Sequence, residues 1–300
     1  MTARTDQPTS IKRVSAAVLP TVLALIFCLL WSSAFAANKI NLRYAPPIWN
    51  LTVRCTVAGL IMLLLAFQRK QALPRDWRSY GRLALFGCFN TALYMLFTLW
   101  GLQLVSAGTA AIIASTHPLV LTLIAPVALK EAWTARKLCG VLLGCGGIWF
   151  VMSTRIGTSH SLSGMAWVAA GVLSLILGTL LFKRYPLQEP LLIANSVQLV
   201  TSALVLLPFA VLESSSTHVD VTWQLVAGLS YVTLGVNTVG MTIWLWLLQR
   251  GEASKVSAYF FLTPIIGLAI SAVLLGDHFG LRESIGLMAV GGGIFLVNRE

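Results

Sequence analysis

Charge is what this sequence is shortest of. Only 10% of its 300 residues are charged, against 57% hydrophobic; a soluble domain carries about 25% charged residues. A water-soluble globular fold is excluded. Ten residues are acidic, and all of them (Asp6, Asp76, Glu131, Glu189, Glu213, Asp220, Glu252, Asp277, Glu283 and Glu300) fall in loops or at segment ends. No carboxylate sits in the middle of an apolar run, which argues against a cation/proton antiporter. An unpaired cation in a low dielectric is costly, and such a carrier would set a titratable acid beside it. Catalytic groupings are missing too: there is no HExxH, no aspartate pair and no Cys/His cluster. Cys28, Cys55, Cys88, Cys139 and Cys145 stand singly, without a CxxC pair. A membrane-embedded enzyme is disfavoured, and no metal or other cofactor is expected. Long polar loops and period-2 alternation are also lacking, which leaves no second soluble domain and excludes a barrel.

What remains is apolar sequence in span-sized pieces. Ten segments run approximately over 18–37, 47–67, 80–101, 106–129, 136–152, 163–182, 190–211, 222–247, 253–275 and 283–297, each close to the roughly 20 residues that a helix needs to cross a bilayer. Residues 12–37 imitate a secretory signal, with Lys12, Arg13 and a terminal AFA. Their apolar run is longer than a signal core, and nine spans follow, so the segment reads as an uncleaved first helix. The basic residues set the topology. If the N-terminal tail (1–17) is cytoplasmic, Lys39, Arg43, Arg155 and Arg282 lie outside, Arg54 lies in a span, and the other sixteen of 21 lie inside. That bias predicts a multi-pass protein of the bacterial inner membrane with both termini cytoplasmic. It also explains the net charge of +11 without a nucleic-acid partner; the expected partners are the bilayer and a small-molecule substrate.

The chain repeats itself. Slid along itself, 95–151 lies over 241–297 without a gap and with 16 of 57 positions identical. The matches include Met95/Met241, Trp100/Trp246, Gln103/Gln249, Pro118/Pro264 and Gly146-Gly147/Gly292-Gly293, and Lys39 and Lys183 suggest the same register shifted by two. Five helices per half is an odd number, so the second half enters the membrane inverted. The predicted fold is therefore all-α: ten transmembrane helices forming two inverted five-helix repeats, 18–152 and 163–297, around a central cavity, the architecture of secondary transporters.

The stretches LLWSSAFAANK, LTVRCTVAGL, SAGTAAIIASTHP and EASKVSAYFFLTP, the acidic helix ends at 130–131 and 276–277, and the GCGG and VGGG tails together resemble the EamA-type, ten-helix branch of the drug/metabolite transporter superfamily. The resemblance covers nearly the whole chain. It implies that helices 1–4 and 6–9 enclose the cavity with 5 and 10 outside, and that the protein exports small metabolites. Aromatic residues on the cavity helices look most like the bacterial exporters of aromatic and other neutral amino acids (the YddG type). Other drugs or metabolites, or an uncoupled facilitator, stay open as alternatives.

Candidate binding residues follow from what is polar or aromatic inside the spans. Arg54 either holds a substrate carboxylate or ties helix ends through carbonyls. His117 either meets substrate or packs as a neutral ring. Ser33, Asn90 and Asn237 are handles that elsewhere bridge helices, and Trp31, Tyr94, Trp244 and Tyr259 lie deep enough to stack on an aromatic substrate. Pro118 and Pro264 hold matching mid-membrane positions and are expected to act as hinges. Gly140/Gly144 and the run Gly164, Gly171, Gly178 read as close-packing faces. A monomer is expected, with a homodimer through helix 5 or 10 as the alternative.

Overall fold

The computed structural model describes residues 10–132, 134–153, 161–185, 188–214, 218–251, 253–276 and 280–298. The first part of the N-terminal tail and the loop holding Arg155 lie outside them. Among the described residues every element is helical, and seven helices are long and apolar enough to cross a membrane. The chain is a multi-pass membrane protein. Ten helical stretches appear: α1 (Ser10–Asn41), α2 (Pro47–Gln68), α3 (Trp77–Leu104), α4 (Ala107–Leu129), α5 (Ala135–Ser153), α6 (Leu162–Arg184), α7 (Leu191–Ser214), α8 (Trp223–Arg250), α9 (253–275) and α10 (Leu281–Asn298). Helix α1 starts inside the expected tail, and its apolar part begins at Leu19.

The internal repeat is carried into the backbone in the register of the Pro118/Pro264 pair. Trp77 and Trp223 open α3 and α8, each behind a side-chain cap: Asp76 accepts from Ser79 N and Thr222 from Leu225 N. Both helices widen into a π-helical stretch, Cys88–Leu93 in one and Tyr231–Gly240 in the other. Helices α4 and α9 both break in mid-course and resume at the repeat-related residues His117 and Thr263. They end on left-handed residues that are also repeat-related, Lys130 (φ 59°) and Gly276 (φ 73°). Helices α2 and α7 start at Pro47 and Leu191, in the register of the Lys39/Lys183 pair.

The breaks fall where a proline disturbs a helix, in the turn before its ring. Pro118 and Pro264 are the second residues of the resumed segments, where a missing N–H costs nothing. The disturbed turn lies just upstream. In α4, Ser115 Oγ donates to Ile112 O (2.5 Å) and Thr116 Oγ1 to Ile113 O (2.7 Å), returning hydrogen bonds to carbonyls at the break. In α9 the corresponding stretch, Ala258–Leu262, tightens into 3-10 geometry.

Eight helices close a ring in the order α1, α9, α4, α6, α3, α7, α2, α8, and α5 and α10 pack on each other outside it, against α4 and α9. The glycines make the tight seams. A Cβ on Gly140 would stand 2.6 Å from Gly293 O, so the α5–α10 crossing is backbone against backbone within one chain. Gly164, Gly171 and Gly178 do the same for α6 on α3; a Cβ on Gly171 would meet Tyr94 O at 2.9 Å. Such contact replaces the hydrophobic drive that helices lack in lipid.

Two lysines finish the ring. Lys39 donates from α1 to Leu102 O and, at 2.8 Å, to Val105 O, at the corner between α3 and α4. Lys183 donates from α6 to Leu248 O and Gly251 O, between α8 and α9 at the opposite face. Leu102 and Leu248 are repeat-related, and so are Val105 and Gly251. The two faces are called the Lys39 face and the Lys183 face below.

Candidate functional site

Rings from five helices meet at the centre of the bundle. Phe27 and Trp31 lie one turn apart on α1, so they share a face. Phe27 stacks on Trp244 of α8 with centroids 5.3 Å apart, and Trp31 stacks on Tyr94 of α3 at 5.5 Å. Phe260 of α9 is the hub. It meets Phe27 at 5.2 Å, Trp31 at 5.5 Å, Trp244 at 4.9 Å and His117 of α4 at 4.9 Å. All six side chains are buried. Such a cluster is cohesive, since aromatic pairs are worth roughly 0.5–1.5 kcal/mol each beyond their burial. Its polar atoms are poorly met: among the described residues the indole N–H groups of Trp31 and Trp244 and Nδ1 of His117 have no hydrogen-bond partner, while His117 Nε2 lies 3.5 Å from Thr179 Oγ1.

On the Lys39 side of the Trp31–Tyr94 pair lies a void of about 30 Å3, room for about two water molecules. Ala34, Phe35, Asn38, Arg54, Met95 and Thr98 line it together with those two rings. Arg54 is 2% exposed. Its Nη1 donates to Asn38 Oδ1 at 2.7 Å, its Nη2 lies against the Met95 sulfur, and among the described residues its Nε has no partner.

On the other side of the ring, where α3, α7 and α8 meet, the polar groups are neutral. Gln198 Nε2 donates to Asn195 Oδ1 (2.5 Å), and Gln198 Oε1 accepts from Thr91 (3.4 Å) and Asn90 (3.5 Å). Asn195 Nδ2 donates to Asn237 O at 3.1 Å and to Thr242 Oγ1 at 3.2 Å. Asn90 and Asn237 project from the two π-helical stretches, and the side-chain oxygen of each is buried without a partner among the described residues. In the register that sets Pro47 over Leu191, Gln198 of α7 is the counterpart of Arg54 of α2.

Trp31, Arg54 and Tyr94 thus share the void, and His117 and Trp244 join Trp31 and Tyr94 in the cluster. Asn90 and Asn237 belong to the neutral network instead. Ser33 faces outward: its hydroxyl meets Tyr231 OH at 2.5 Å, and Tyr231 is exposed. Tyr259 is half-buried at the edge of the core, its carbonyl accepting from Cys28 Sγ at 3.1 Å. Pro118 is buried next to His117. The sequence reading missed Phe27, Asn38 and Met95 as neighbours of these groups. Spacing held a signal, since Phe27, Trp31 and Asn38 recur at i, i+4 and i+11 on one helix face.

Each face carries a vestibule. On the Lys39 face, Arg43, Trp100, Gln103, Glu213, His218 and Asp220 surround about 460 Å3. On the Lys183 face, Lys130, Glu131, Lys183, Arg184, Gln249 and Arg250 surround about 660 Å3. Gln103 and Gln249 are repeat-related. Among the described residues no group of three or more His, Cys, Asp or Glu could hold a metal ion.

Comparison with known proteins supports one class. The sequence profile of the EamA-like transporter family matches the chain twice, over residues 19–153 and 162–299. An uncharacterised transporter of Synechocystis sp. is 26% identical, over 93% of this chain and 89% of its own length. A second, from Bacillus subtilis, is 27% identical over 93% and 92%. A protein of Salmonella typhimurium named a probable amino-acid metabolite efflux pump is 24% identical over 91% and 93%. One solved crystal structure superposes with a TM-score of 0.74 at 17% identity, over 93% of this chain and 96% of that one. That likeness speaks for the fold.

Proposed function

We propose a substrate class and a mechanism for a chain that belongs to the EamA-like transporter family, and so is a transporter and not an enzyme. It exports neutral or zwitterionic metabolites, amino acids with aromatic or hydrophobic side chains first among them, across a bacterial inner membrane by alternating access. The observation that carries this reading is the aromatic, acid-free centre, in which indole, imidazole and guanidinium groups keep unmet hydrogen-bond capacity. Buried polar atoms are normally satisfied. Rings of this kind stack on an aromatic side chain, and their free donors suit a carboxylate. Export of amino-acid metabolites is also what the Salmonella relative is named for.

The mechanism rests on the repeat. Two halves of one shape in opposite orientation can exchange their conformations, which turns a centre open to one face into a centre open to the other. The matching breaks before Pro118 and Pro264 and the matching π-helical stretches are where the helices can bend. The void holds about two waters, so substrate entry requires the six-ring cluster to part. The distribution of basic residues supports a cytoplasmic Lys183 face.

The test is labelled amino-acid uptake into proteoliposomes, with and without a pH gradient, for wild type and for Pro118→Ala and Pro264→Ala. Saturable exchange of aromatic amino acids is expected, with both variants losing turnover, by about tenfold, and keeping apparent affinity. Flux that fails to saturate would make the protein a pore. Unchanged turnover in both variants would remove the hinges.

A further inference from the structure

Arg54 poses a question that the transport cycle as stated leaves unanswered. A guanidinium 2% exposed inside a membrane bundle is expensive unless it is paired. Among the described residues no carboxylate lies within ion-pairing distance of it. Its guanidinium donates to one amide oxygen and one thioether, with the Cys55 thiol also beside it, and sulfur is a weak acceptor. The geometry of what is left over matters more. Nη1 is taken by Asn38, whereas Nε is unpartnered and Nη2 meets only sulfur. Nε–H and Nη2–H point along one edge of the guanidinium, the edge that grips both oxygens of a carboxylate. Arg54 also lines the void.

A purely structural role fits poorly. At the repeat-related position the fold is completed by Gln198, whose amide is satisfied by Asn195, Asn90 and Thr91. The same helix position therefore closes its packing without a charge. The lining also tells what the other end of the ligand must be. Beside the void stand Trp31, Phe35, Tyr94 and Leu99, and no acid. An α-ammonium brought here finds ring faces, the Thr98 hydroxyl and an amide oxygen already engaged by Arg54, and no counter-charge. Uncompensated, that charge adds cost, with ring faces returning only about 0.5–2 kcal/mol. A second, independent feature agrees. The Lys183 vestibule gathers Lys130, Lys183, Arg184 and Arg250 against Glu131, while the Lys39 vestibule sets Arg43 against Glu213 and Asp220. Anions concentrate at the first more than at the second.

We infer that Arg54, oriented by Asn38, is the carboxylate anchor of the transport site, and that the site selects apolar and aromatic carboxylates as a class, with the α-amino group dispensable. The inference rests on the exporter reading above and changes its selection rule from net neutrality to the carboxylate: aromatic amino acids are accepted because they are arylalkyl carboxylates.

The test is competition against labelled L-phenylalanine in counterflow, in phosphatidylcholine vesicles that contribute no carboxylate of their own. The competitors are 3-phenylpropionate (carboxylate, no amine), phenethylamine (amine, no carboxylate) and L-phenylalaninamide. With wild-type protein, 3-phenylpropionate is expected to compete within about threefold of L-phenylalanine, and the two amines at least tenfold more weakly. Arg54→Gln should weaken both carboxylates about tenfold and erase the preference over the amines. Asn38→Asp, which sets an internal carboxylate on the guanidinium, should weaken carboxylate competitors while the protein stays folded. Amines competing as well as 3-phenylpropionate, or a preference that survives Arg54→Gln, overturn the anchor; the wild-type series decides even if both variants misfold. If L-phenylalanine is exchanged without regard to the carboxylate, the anchor falls and the exporter reading stands. If labelled 3-phenylpropionate is exchanged and no amino acid is, the amino-acid reading falls and the anchor stands. If neither is exchanged, both fall.

Discussion

Removing the ring of Phe260 should both loosen the protein and unseal it. Phe260 is 1% exposed and touches four rings at 4.9–5.5 Å. Alanine there deletes about 90 Å3 of side chain, which at ~24 cal/mol per Å3 of unrelaxed cavity is roughly 2 kcal/mol. The four ring contacts, at roughly 0.5–1.5 kcal/mol each, add to this, and partial collapse takes some back. In lipid the water-to-core transfer term is muted, because the unfolded helices stay in the bilayer. The expected loss for Phe260→Ala is therefore about 3–5 kcal/mol. Phe260→Leu, which keeps most of the volume, should lose less than half of that. Unfolding in detergent can be followed by tryptophan emission, since Trp31 and Trp244 both pack against Phe260. On the alternating-access reading the same substitution opens the barrier between the void and the Lys183 face, so vesicles should leak a small uncharged solute such as erythritol. Trp149, 70% exposed on the lipid side, supplies the control: Trp149→Ala should leave both readouts alone. A loss under about 1 kcal/mol, less than one such cavity predicts, together with tight vesicles, would refute the cluster as barrier and as keystone.

Two further expectations use the repeat and the glycine seams. Lys39→Met and Lys183→Met each strip a charged donor from two carbonyls at a helix corner, and each should cost about 1–3 kcal/mol in thermal unfolding. Because the clamps sit on opposite faces, the double variant should be additive within about 0.5 kcal/mol, and strong coupling would contradict two independent corners. Gly171→Val drives a Cβ to 2.7 Å from Thr98 Oγ1 and 2.9 Å from Tyr94 O, and should abolish a monodisperse chromatographic peak, whereas Gly146→Ala meets nothing within 4 Å and should be neutral.

Much of the architecture was legible because lipid makes it so. A bilayer demands about twenty apolar residues per crossing, and that demand writes the helices into composition. The inverted repeat was legible because Trp, Gln, Pro and paired Gly rarely align by chance in apolar sequence. The π-helical stretches were not: an added residue per turn leaves no mark on CFNTAL or YVTLGVNTVG, and only tertiary packing decides it. The breaks in α4 and α9 were half legible. Proline announced them, but Ser115 and Thr116 fix the disturbed turn upstream by capturing carbonyls. Trp31, Tyr94 and Arg54, which line one void, were legible as candidates because aromatics and charge stand out in a span. Asn38 and Met95 were not, since their meaning lies in what they leave undone on Arg54.

The departures from the repeat say more about transport than the repeat does. Wherever the two halves agree, at the capped starts of α3 and α8, the mid-helix breaks, the left-handed ends and the lysine corners, swapping their roles returns an equivalent molecule. Such features can make two open states nearly equal in energy, but they cannot tell the faces apart. Discrimination has to come from positions where the halves differ in charge. Arg54 against Gln198 is one, inside the bundle; the strongly basic vestibule against the one of mixed charge is another, at its mouths. On the proposal that Arg54 anchors a carboxylate, both differences have the same sign: the anion would be gathered at the Lys183 face, held toward the Lys39 side of the centre, and released into a vestibule that attracts it less. A charge-reversed vestibule, with Glu213 and Asp220 made neutral and Lys130 and Arg250 made acidic, should thus alter on-rates from the Lys183 face in a salt-dependent way while leaving the carboxylate preference untouched, because the proposal assigns that preference to Arg54.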